Sequence, residues 1–88
     1  MFYVYLLLSK RDGNCYIGQT DNIKKRLKEH ELGLVSSTRN RRPLRLVGYE
    51  VYDNRSKARW REYQLKKHGD KKKEFINNLK KKNFLSEP

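Results

Sequence analysis

Residues 2–8 are an unbroken run of β-branched, aromatic and leucine side chains, the composition of a strand buried on both faces. Residues 9–14, with Asp12-Gly13 inside them, read as a turn, and residues 15–19 as the strand returning from it. Period-two alternation puts Tyr3, Tyr5 and Leu7 on one face of the first strand. On the second strand it puts Tyr16 and Gly18 on one face, with Cys15 and Ile17 opposite. Tyr5 and Tyr16 are therefore expected close together.

The period then changes. Thr20, Asp21 and Asn22 offer N-cap oxygens for a helix over 23–32, with Gly33 as its stop. At about 100° per residue from Ile23, Leu27 falls at about 40°, Leu34 at about 20°, His30 at about 340° and Arg26 at about 300°. His30 thus lies within the apolar stripe and Arg26 at its border. Residues 34–42 form a polar, basic loop that Pro43 ends, and residues 44–52 are a third strand. Asn54 or Ser56 caps a helix over about 57–68, stopped by Gly69, on which Ala58, Glu62 and Leu65 share one side. An acid on an apolar side needs a reason. Asp70 caps a last helix over about 71–81 with Phe75, Ile76 and Leu79 as its buried stripe. Beyond it, Phe84 and Leu85 are placed to dock on the body. The prediction is one α+β domain over residues 1–82, in the order β-β-α-β-α-α, and a tail at 83–88.

Composition sharpens this picture in one direction. Eighty-eight residues allow a single small core, for which six Tyr, three Phe and one Trp supply large area per residue. Twenty-two Lys and Arg against ten Asp and Glu leave a net charge of +12, which attracts polyanions and makes nucleic acid the leading partner. No helix sets a broad Leu/Phe/Trp face against its lysines, so a membrane surface is not expected as a partner. One cysteine makes no intramolecular disulfide, and neither a second Cys nor clustered His offers a zinc site. The apolar start has no basic residue ahead of it and no small-residue cleavage site after it, which sets it apart from a signal peptide. A cytoplasmic or nucleoid-associated chain is therefore expected. No nucleotide cofactor is expected.

The chemistry-bearing residues occur in a recurring order. Tyr3-Val4-Tyr5, Tyr16-Ile17-Gly18, the basic helix with Arg26 and His30, and "REYQLKK" at 61–67 with Glu62 together resemble the GIY-YIG nuclease domain, in particular its small stand-alone bacterial members. The match spans Tyr3 to about Leu79, with Tyr3 standing in place of the family's first glycine. The resemblance implies a central three-stranded antiparallel sheet flanked by helices, and metal-dependent cleavage of DNA. It implies catalytic roles for Tyr5, Tyr16, Arg26, His30 and Glu62, the last as ligand of a single Mg²⁺ or Mn²⁺ ion.

The residue types suit that reaction on physical grounds. Phosphodiester hydrolysis needs a group to hold or deprotonate water, positive charge at the crowded phosphate, and stabilisation of the leaving oxygen. Tyr16 is the candidate for the water, Arg26 offers a planar fork to phosphate, and His30 can donate to phosphate or relay a proton. A lone carboxylate suits Mg²⁺, which keeps most of its waters and takes substrate phosphate. The basic loop resembles one beside the cleft in the family's small members, which implies that Thr38 and Arg39 hold substrate backbone, and Lys25, Arg41, Arg42 and Lys66 are expected as further nucleic-acid contacts. Asn77 and Asn78 fall where many family members carry an asparagine, with no flanking motif to fix the match. The preferred DNA is expected to be branched or flapped, or recognised with weak specificity. The competing function is a binding module of the same fold that cleaves little or nothing.

Overall fold

The computed structural model describes the backbone of residues 1–86 and the side chains of residues 1–82. Strands β1 (Phe2–Ser9), β2 (Cys15–Thr20) and β3 (Leu44–Tyr52) and helices α1 (Ile23–Glu31), α2 (Arg55–Lys67) and α3 (Gly69–Ser86) follow in the order β1-β2-α1-β3-α2-α3. The strands make one antiparallel sheet in the spatial order β2-β1-β3. This is the α+β architecture that the pattern and the family resemblance imply.

The unbroken apolar run is the central strand because it alone must be apolar on both faces. Val4, Tyr5, Leu6 and Leu7 are each no more than 1% exposed. On one face Val4, Leu6, Ile17 and Val47 pack with Ala58 and Leu65 of α2 and Phe75 and Leu79 of α3. Fully burying each large side chain there contributes about 1.5–3 kcal/mol. On the other face Tyr5 meets His30 of α1, so the two helical layers sandwich the sheet.

The β1–β3 register slips by one residue between Leu6 and Leu7, which pair with Gly48 and Leu46 and leave Val47 extra. That bulge lets Val47 join the α2–α3 core while Leu46 stays opposite Leu7 on the α1 side.

The caps are those of Asn22 and Asn54, whose side chains accept from Lys25 N–H and Lys57 N–H. Helix α1 ends at Glu31, Gly33 takes φ +77, and the Arg42 guanidinium lies where a Cβ would stand. Chain reversal at Gly33 corrects one expectation: Leu34 leaves the helical stripe and is 68% exposed. Gly69 is not the stop of α2 either, since the extended His68 breaks the helix and Gly69 begins α3. Helix α3 then continues in backbone to Ser86, beyond the end predicted near Lys81. The docking expected of Phe84 and Leu85 lies outside the described side chains, and the end of the tail lies outside the described residues.

Candidate functional site

The site grows from a short buried chain of hydrogen bonds. Tyr5 pairs with Gly18 across the β1–β2 ladder, and a Cβ at Gly18 would come within 2.6 Å of the Tyr5 Cζ. The Tyr5 ring therefore lies over the glycine, and its hydroxyl reaches toward the β2 edge. The space that a side chain at position 18 would need is thus taken by Tyr5.

The Tyr5 hydroxyl is 2.8 Å from His30 Nε2, and His30 Nδ1 is 2.7 Å from the Thr38 hydroxyl. Tyr5, His30 and Thr38 are each no more than 1% exposed. Burial, and then the nearby Arg26 cation, lower the His30 pKa to about 4, against the opposing pull of Glu29. The ring is neutral at pH 7, so one nitrogen donates and the other accepts. Both are already engaged inside the protein. His30 is thus bonded on both ring nitrogens within the fold and is 1% exposed. Thr38, expected to hold substrate backbone, is 0% exposed and its hydroxyl is bonded to His30.

Burial pushes the Tyr5 phenol up to about 12, partly offset by the Arg26 guanidinium beside it. Arg26 is held in its charged form first by Tyr5 and then by Glu29, whose Oε1 lies 3.3 Å from Nη1. Tyr16 and Glu62 act electrostatically on Tyr5 as well. Arg26, Tyr16 and Glu62, from α1, β2 and α2, thus all act on one phenol.

Tyr16 differs from Tyr5 in access. Its ring centroid lies 6.4 Å from that of Tyr5 and 5.3 Å from His30. It is half-buried, and its hydroxyl has no hydrogen-bond partner among the described residues. Lys66 Nζ stands 5.7 Å from the ring centroid and also donates to Glu62 Oε2 at 3.2 Å. Tyr16, Lys66 and Glu62 thus meet at the β2–α2 seam.

Arg61 grips Glu50 of β3 through Nε at 2.9 Å and Nη2 at 3.3 Å, and the Tyr52 hydroxyl donates to the same carboxylate at 2.7 Å. This clamp ties α2 to β3 at the residue next to Glu62. The sequence reading missed it. Glu50 and Tyr52 alternate on one face of β3, but the Val47 bulge disguises which face that is.

Fit to a divalent cation rests on Glu62 alone. Among the described residues no group of three His, Cys, Asp or Glu gathers around one point. One Glu62 oxygen is paired with Lys66, the lysine 53% and the glutamate 24% exposed, a pair that contributes only a few tenths of a kcal/mol, about what an i,i+4 surface pair gives. A cation that keeps most of its waters fits such a donor set, and one needing several protein ligands does not.

The loop arginines lie elsewhere. Arg41 pairs with Asp12 at 3.1 Å, Arg39 donates to the Gly33 carbonyl, and Arg42 donates to the carbonyls of Arg39 and Glu31. Arg39 and Arg42 line a groove over Leu7, Leu44 and Leu46 that reaches His30 but includes none of Tyr16, Arg26 and Glu62. Lys25 is exposed beside Arg26 at a smaller depression. Asn77 and Asn78 are exposed on α3.

Comparison with known proteins adds a family. The model of the GIY-YIG catalytic domain matches residues 1–81. A UPF0213 protein of Clostridium perfringens, CPE1444, is 44% identical over 68 residues, covering 76% of this chain and 72% of the relative. A second, HQ_3675A of Haloquadratum walsbyi, is 37% identical over 75 residues, covering 84% and 83%. The solution NMR structure of the UPF0213 protein BH0048 from Bacillus halodurans superimposes with a TM-score of 0.56 at 38% identity, over 91% of this chain and 86% of that one.

Proposed function

The chain belongs to the GIY-YIG family, whose domains are nucleases acting on DNA, and from that premise we propose that it is a metal-dependent endonuclease with Tyr16 at its centre. The observation that carries this reading is the contrast between the two tyrosines. Tyr5 is buried and bonded to His30, whereas the Tyr16 hydroxyl is accessible and unpartnered among the described residues.

The roles follow. Tyr16 accepts a hydrogen bond from the attacking water and orients it toward phosphorus. Arg26 offers two parallel donors to the non-bridging phosphate oxygens, where negative charge gathers as the new P–O bond forms. Tyr5, His30 and Thr38 hold the floor of the site, so that Tyr16 and Arg26 face substrate in one arrangement. Glu62, with its free oxygen, is the residue that would hold Mg²⁺ or Mn²⁺. When bound, the cation supplies Lewis-acid stabilisation of phosphate and of the leaving oxygen. Lys25 and Lys66 contribute phosphate contacts that do not depend on sequence, in keeping with weakly specific or structure-selective cleavage.

The competing reading, a binding module without cleavage, draws support from the Lys66–Glu62 pair, which occupies one oxygen of the carboxylate proposed to hold the cation. Labelled branched, flapped, single-stranded and duplex DNA, incubated with Mg²⁺ or Mn²⁺, separates the two. Wild type cleaves at least one substrate and Glu62→Ala cleaves none while still binding. Intact substrates with both proteins leave the module.

A further inference from the structure

The outer face of α2 carries two large aromatic side chains that the core does not use. Trp60 is 60% exposed and Tyr63 is 49% exposed. Their rings stack on each other with centroids 5.7 Å apart and planes 24° apart. They border a shallow open depression together with Ser56 and Arg59. Lys67 Nζ lies 5.3 Å from the Tyr63 ring centroid and donates to its hydroxyl at 2.8 Å. Arg59 is exposed and pairs with no carboxylate among the described residues.

Leaving this much aromatic surface in water gains the fold nothing, and a concentrated exposed patch marks a contact surface. Charge selects the partner. The patch is edged by Arg59 and Lys67 in a chain of net charge +12, which disfavours a second copy of the same protein and favours a polyanion with flat apolar groups. Unpaired nucleobases have that chemistry: their faces stack on aromatic rings while neighbouring cations follow the phosphates. Paired bases in a duplex hide their faces from such a surface.

Helix geometry ties the patch to the site. Counting from Glu62 at about 100° per residue, Lys66 falls at about 40°, Arg59 at about 60°, Tyr63 at about 100° and Trp60 at about 160°. A basic strip thus separates the carboxylate from the aromatic pair on the same helix. We infer that Trp60 and Tyr63 form a stacking platform for unpaired bases of a single strand, whose phosphates run across Arg59 and Lys66 toward Glu62. The link to Glu62 rests on the nuclease reading; the platform itself does not.

Trp60 is the only tryptophan in the chain, so its emission reports directly on the platform. The assay is titration of the whole protein, in chelator to prevent cleavage, with a short oligothymidylate, an abasic oligomer of equal length and a blunt duplex. The platform predicts quenching of Trp60 by oligothymidylate alone. It also predicts weakening of that complex by about tenfold in Trp60→Ala, substantial recovery in Trp60→Phe, and little change in duplex affinity. Equal quenching by the abasic oligomer, or unchanged oligothymidylate affinity in Trp60→Ala, overturns the inference. So does a concentration-dependent dimer in sedimentation that Trp60→Ala dissolves, since the patch would then be a contact between copies. Because no metal is present, these results stand apart from whether the protein cleaves.

Discussion

Lowering the pH should loosen the Tyr5–His30–Thr38 chain before it affects the rest of the fold. In an unfolded chain the His30 imidazole titrates at the ordinary value of 6.5, whereas in the fold it does so at about 4. Burial is the main cause and the Arg26 cation adds to it, while Glu29 opposes. Tyr5 and Tyr16 face the ring from the sheet and Thr38 from the loop. A folded-state pKa below the unfolded one means that stability is complete above about 6.5 and falls as the pH drops toward about 4. The gap, at about 1.36 kcal/mol per tenfold change in proton activity, corresponds to about 3 kcal/mol. A loss that size is a large share of the stability of a small domain. Urea denaturation of wild type and His30→Gln at pH 7.5 and pH 4.5 isolates the effect, because the acid response of Asp12 and Asp53 is common to both proteins. The advantage of wild type over the variant should shrink by about 2–3 kcal/mol on acidification. An advantage that stays constant, or an NMR titration placing the His30 ring at 6 or above, would refute the neutral, buried histidine.

Other outcomes follow from the same geometry. Gly18→Ala should destabilise by about 1–3 kcal/mol in thermal melts, because the new Cβ meets the Tyr5 ring at 2.6 Å from Cζ and must push it off His30. Thr38→Val, nearly isosteric, should lower stability by about 1–3 kcal/mol by leaving a buried His30 nitrogen without a partner. It should leave DNA affinity almost unchanged, which gel-shift titration checks. Glu62→Gln should barely alter the melting temperature, since the substitution is nearly isosteric and the pair with Lys66 is weak, yet it should abolish the response of cleavage to Mg²⁺.

Much of this arrangement was legible from local pattern. The apolar run of β1 announced a central strand, the faces of two short strands put Tyr5 beside Tyr16, and the helical stripe put His30 inward. What pattern missed are consequences of chain reversal and of distance. Leu34 fits the stripe of α1 by angle, but the positive φ of Gly33 turns the chain before it arrives. Thr38 looks like any loop hydroxyl, because nothing local says that the loop folds back under α1 to meet His30. Arg39, Arg41 and Arg42 read as phosphate ligands by charge, whereas each donates to a carbonyl or carboxylate of the protein itself. Their contacts are long-range, and no spacing rule encodes them.

The two tyrosines offer the most direct trial of the site. Single-turnover cleavage of a flapped duplex in Mg²⁺, with protein in excess, reads the chemical step without product release. Tyr16→Phe removes only the unpartnered hydroxyl, so it should bind the DNA as wild type does and cleave it at least about a hundredfold more slowly. A Tyr16→Phe protein that cleaves at the wild-type rate would contradict the account at its centre.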